Sequence, residues 1–151
     1  MPQWWAPEGI EDGRSAADQA AFELMLPKIT DLYLTARVHI LLDTMYGTRF
    51  WTLMEAWCAM KTATADGVRA ATVADGRYTI ECLHNAATTA ELSSKQLVDL
   101  VLRKTPQEMR DILASADCAV TNMKDKETML PVVGQTDEHV KLMMAATLTD
   151  T

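Results

Sequence analysis

Apolar residues recur at helical spacing along most of the chain, interrupted by two short runs of strand-forming residues. Residues 1–14 carry Pro2, Pro7, Gly9 and Gly13 and predict an irregular tail. Ser15 before Ala16-Ala17-Asp18 predicts a capped helix to about Leu26, where Pro27 ends it or opens a second short helix. Ile29, Leu32, Tyr33 and Ala36 continue an apolar stripe. Val38 to Leu42, β-branched at its start and apolar on both faces, predicts a central parallel strand covered on both sides. After the loop 44–47, Arg49 to Thr62 predicts a helix with Phe50, Leu53, Met54, Trp57 and Met60 inward. Residues 63–76 predict a loop, with turns at Asp66-Gly67 and Asp75-Gly76. Arg77 to Leu83 is a second strand, closed by His84-Asn85. A helix over Glu91 to Lys104 turns Leu92, Leu97, Leu100 and Val101 inward. Thr105-Pro106-Gln107-Glu108 then opens another with a capping box and proline in its first turn. Cys118 to Thr121 predicts a third, short strand, Lys124 to Glu127 a solvated turn, and Asp137 to Ala146 a last helix capped by Thr136.

Strands alternating with helices define the α/β class. The expected architecture is a small three-layer sandwich, a short and mainly parallel sheet flanked by helices, in one domain over residues 15–151. Two clear strands are few for such a sheet, so either the sheet is small or another chain completes it.

Composition narrows the function classes. With 151 residues, 48% hydrophobic and 23% charged, the chain is long enough for one buried core. Ten methionines against 6% aromatic residues predict an aliphatic and thioether filling. The net charge of −7 and 14 scattered basic residues disfavour nucleic acid and anionic membrane surfaces as partners. No apolar run is long enough for membrane insertion. Cys58, Cys82 and Cys118 make no disulfide framework, and the N-terminus carries no secretory pattern. The expected location is therefore intracellular, soluble or peripheral to a larger assembly. Trp4 and Trp5 predict a tail that either folds back on the body or anchors another protein.

No common nucleotide, zinc-protease or serine-hydrolase motif occurs. Candidate chemistry lies beyond the strand ends, where open parallel sheets bind ligands. Asp43 follows the first strand, His84 and Asn85 follow the second, and Arg49 stands in the first turn of the next helix. Asp43 and His84 either serve a ligand or satisfy local backbone groups. Glu55 lies inside the most apolar helix, on one face with Trp51 and Cys58. Desolvation there raises its pKa and suits a general base, unless the side chain reaches the outer face. Cys82 and His84 share a strand face, yet cysteine is mostly core, so no metal is expected.

The strand VHILLD, the loop with Tyr46 and the run Thr48-Arg49-Phe50-Trp51-Thr52-Leu53-Met54-Glu55 resemble the second half of a Toll/interleukin-1-receptor-like (TIR-like) domain. They are also similar to algal and protist proteins with an RFWTxxEAW segment. Trp51 and Glu55 match the family's helix pattern, and Thr52 stands where the family carries cysteine. The resemblance covers residues 25–62 well and 77–85 loosely. It implies a truncated TIR-like, flavodoxin-like core. In enzymatic members the glutamate at this position supports cleavage of NAD, so the resemblance implies a catalytic role for Glu55 with NAD as substrate. The leading expectation is a non-catalytic protein-interaction module or assembly subunit without a cofactor, working through a protein partner or self-association. An NAD-cleaving hydrolase using Glu55 is the alternative.

Overall fold

The computed structural model describes residues 15–149. The tail 1–14, with Trp4 and Trp5, lies outside the described residues. The first helix, α1 (Ala16–Met25), starts at the expected Ser15 cap, which closes as a capping box: Ser15 Oγ accepts from the Asp18 N–H at 3.2 Å, and the Asp18 carboxylate accepts from the Ser15 N–H at 3.2 Å. It buries no residue. Pro27 then sits in a 3-10 turn, and α2 (Ile29–Thr35) follows with Thr30 and Leu34 buried.

Strand β1 (Val38–Leu42) leads through a turn into α3 (Phe50–Ala59). α3 ends three residues before the expected Thr62, where the Met60 N–H bonds back to Ala56 O at 3.0 Å. The segment expected to be a loop begins with an antiparallel hairpin of β2 (Lys61–Thr64) and β3 (Gly67–Ala70). Thr62, Thr64 and Val68 supply strand formers on the two arms, and Gly67 supplies the turn. Gly67 has φ +115°, and a Cβ there would collide with the Asp137 carboxylate.

β4 (Tyr78–Cys82) lies parallel to β1, in register from Val38 opposite Tyr78 to Leu42 opposite Cys82. A 3-10 turn over His84–Thr89 leads into α4 (Ala90–Val101). Next come α5 (Pro106–Ala114), α6 (Met123–Gly134) and α7 (Thr136–Thr149). The capping box of α5 closes as predicted, with Thr105 and Glu108 bonding each other's N–H at 3.2 and 2.8 Å. The result is a small α/β fold in which a short parallel sheet is flanked by helices.

Two further expectations need correction. Cys118 to Thr121 forms no strand; Ala119 makes one parallel bridge to Arg49, through Phe50 N–H to Ala119 O and Ala119 N–H to Thr48 O, both 2.8 Å. The charged run Lys124–Glu127 is no solvated turn but the first turns of α6, capped by Asn122. Lys126 is buried there because its ammonium reaches Ser115 O at 2.9 Å and Cys118 O at 3.0 Å.

The core is centred on α3. Phe50, Leu53, Met54, Ala56, Trp57, Cys58 and Ala59 are all buried, so this helix is covered almost all round. Leu97 and Val101 of α4, Met109 and Leu113 of α5, and Met129 and Val133 of α6 pack into the same cluster. β1 turns Ile40 and Leu42 into it. Its other face, expected to be covered, exposes His39 and Leu41 beside Thr79 and Glu81 of β4 among the described residues. The apolar run was too short to distinguish a one-sided from a two-sided strand.

Candidate functional site

Parallel pairing of β1 and β4 brings their carboxyl ends together, and the Leu83 N–H bonds to Leu42 O at 2.8 Å across them. A cleft of about 350 Å³ lies beyond these ends. Leu42, Ala86, Leu97 and Leu100 supply its apolar surface, while Asp43, Thr44, Thr89, Ser93 and Gln96 supply polar groups. Asp43 is held in place by its own turn. One oxygen accepts from the Met45 N–H at 3.0 Å, and the other accepts from Arg49 at 3.3 Å. Arg49 is exposed and belongs to the ion pair rather than to the cleft lining.

His84 and Asn85 are both exposed and are not among the residues lining the cleft. His84 takes φ +50°, in the left-handed region that non-glycine residues seldom enter, as the chain turns off β4. The structure thus brings Asp43 to the strand-end cleft and leaves the other two on the neighbouring surface. The polar groups the sequence reading missed stand on the element after β4. Thr89, Ser93, Gln96, Leu97 and Leu100 fall at spacings of three and four, a single helix face legible in the sequence once α4 is known to follow a parallel strand.

Glu55 occupies a different place. It is half-buried on α3 at the contact with α2, where Tyr33 is close enough to its carboxylate to influence its pKa. Burial raises its pKa above the ordinary carboxylate value, and Tyr33 partly offsets that rise. Burial, with the Glu55 charge second, pushes Tyr33 up to about 12. Tyr46 moves further in the same direction, again through burial first and Glu55 second. The Cys58 thiol, fully buried one turn along, is pushed up to about 12 by burial. Trp51 is half-buried and sets its ring edge-on against Phe50, 5.5 Å between centroids.

All three cysteines are free thiols. Among the described residues no cluster of three His, Cys, Asp or Glu side chains is placed to hold a metal ion. No helix among them is long and apolar enough to cross a membrane. Comparison with protein-family models, with curated proteins and with solved structures returns no match.

Proposed function

We propose that the chain is a non-catalytic interaction module on a TIR-like core, and that α1 is the element it offers to a protein partner. The observation that carries this reading is that α1 buries nothing. Ala16, Ala17, Ala20, Ala21, Leu24 and Met25 form one apolar face, with Leu24 75% and Met25 68% exposed. A ten-residue helix is marginal in water on its own, so a face of this kind is stabilised when it lies in a groove. Asp18 and Glu23 flank the face, and α1 contains no Lys or Arg. The complementary partner has an apolar groove with a basic rim. A second copy of the chain fits less well, because each copy brings −7 net charge and another acidic α1.

The alternative, cleavage of NAD by Glu55, draws support from the raised pKa of that carboxylate. Against it stands the absence of Glu55 from the lining of the strand-end cleft. Incubation with NAD is expected to release no nicotinamide. Release that disappears in Glu55→Gln would transfer the proposal to the hydrolase.

The module reading has its own test. Light scattering is expected to show a monomer. A photo-crosslinking residue at Leu24 is expected to capture one protein partner, and a control at Val73, fully exposed elsewhere, to capture none. Ala20→Glu, which keeps a helix former on the surface, is expected to abolish the Leu24 adduct. A stable homodimer, or an adduct indifferent to Ala20→Glu, would overturn the reading.

A further inference from the structure

The strand-end cleft joins two surfaces of different chemistry. Its base is Leu42, Leu97, Leu100 and Ala86, and three of these are almost wholly buried. Its rim offers hydroxyls from Thr44, Thr89 and Ser93, the Gln96 amide and the Asp43 carboxylate. No lysine or arginine lines it, so an anion would meet Asp43 with no counter-charge on the cleft wall. Asp43 itself is partly neutralised by Arg49 and fixed by the Met45 N–H, which leaves further lone pairs free to accept. The Thr89 and Ser93 hydroxyls bond each other at 3.1 Å, and the pair retains donor and acceptor capacity toward the cleft. Every rim group except Asp43 is therefore neutral and able both to donate and to accept.

That pattern matches a molecule whose surface alternates C–H and O–H groups. We propose that this cleft binds a small neutral polyol, the size of a monosaccharide or a cyclitol, with its C–H face on the leucines and its hydroxyls on the rim. The volume of about 350 Å³ lies at the lower end of small-molecule sites and suits a ligand of this size. Gly47 keeps the entrance open: a Cβ there meets nothing nearer than Leu100 Cδ2 at 4.0 Å, so a longer side chain would grow across the cleft. No aromatic ring lines the cleft to stack on a sugar face, which sets the expected affinity in about the millimolar range. This inference is independent of the interaction-module reading, since it uses no residue of α1.

The test is a titration of the ¹⁵N-labelled full chain with D-glucose and, separately, with myo-inositol, each to about 50 mM, roughly tenfold above such a Kd. Parallel titrations use choline chloride and sodium phosphate. The expected result is saturable shifts of the Gly47, Ala86, Ser93 and Leu97 amides with at least one polyol. Gly47→Leu and the double variant Thr89→Val, Ser93→Ala, both checked for an unchanged fold by circular dichroism, are expected to weaken binding at least tenfold. The proposal is overturned if neither polyol shifts these amides, if the shifts persist in Gly47→Leu, or if choline or phosphate binds the cleft more tightly than the polyols.

Discussion

The Tyr33 hydroxyl and the Glu55 carboxylate share a proton-rich, half-buried niche on the flank of α3, and Cys58 lies one turn beyond Glu55. The pKa shifts there have a consequence at alkaline pH. An ordinary thiol near 9 releases its proton in the unfolded chain before Cys58 does in the folded one, at about 12. Between those values the folded state holds the extra proton, so stability falls as pH rises. Tyr33 adds to this fall from 10 to about 12, and Tyr46 acts in the same sense. Lys61 works in the opposite direction. Burial lowers its folded pKa to about 8 from 10.5, so between those values the unfolded chain carries the extra proton and stability rises with pH. The urea midpoint is expected to be level or slightly higher from pH 8 to 9, then to drop steeply above pH 10. Cys58→Ala should soften that drop, and a midpoint constant to pH 11 would mean that the niche is open to water. At this scale the sequence was informative where a rule about position applied. Asp43 was found because it follows a strand, and the environment of Glu55 because its helix is so apolar. Tyr33 as its partner was not legible, since nothing in the spacing says how α2 crosses α3.

Helix ends follow a common scheme in this chain. None of α2, α4 and α5 is followed by a glycine that could close its last turn in the left-handed conformation. Instead a buried or half-buried cation takes carbonyls at or just beyond the end of each. Arg77 donates to Tyr33 O at 2.8 Å and Thr35 O at 3.1 Å after α2, and to Lys61 O at 2.9 Å on β2. Lys61 donates to Leu102 O at 2.8 Å and Lys104 O at 2.6 Å after α4, with its ammonium 5.3 Å from the centre of the Trp57 ring. The Trp57 indole N–H donates to the same Lys104 carbonyl at 2.9 Å. Lys126 serves α5 in the same way through Ser115 O and Cys118 O. Lys61→Met keeps the apolar stem and removes the donors, so it is expected to lower stability by about 1–3 kcal/mol through the unsatisfied carbonyls. Urea denaturation checks this, and a change under about 0.5 kcal/mol would show water replacing the ammonium. The same residues explain what the sequence concealed. Lys61, placed in a predicted helix end, and Lys126, placed in a predicted solvated turn, are instead buried pins at the start of β2 and in the first turns of α6. The Ser15 cap and the Thr105 capping box were legible because each cap and its partner lie within four residues of each other. The cationic caps join residues 8 to 44 positions apart, where local pattern carries no signal.

Across the whole molecule, order runs from α3 outward. Its residues Phe50 to Ala59 are covered by α4, α5 and α6, whereas α1 buries nothing and stands at the other extreme. Amide hydrogen exchange is expected to be slowest in α3 and fastest in α1, with the exposed face of the β1–β4 pair between them. Protection of α1 equal to that of α3 in the isolated chain would contradict the packing described. The placement of α3 also governs the order in which the molecule can be made. Leu113, which covers the α3 core from α5, leaves the ribosome roughly 50 residues after Ala59, a delay of about 3–10 s at ordinary rates of synthesis. Early in that interval the most apolar helix of the chain lacks β4 and α4, and through all of it the cover of α5 and α6, so translation is a stage at which this protein is exposed to aggregation.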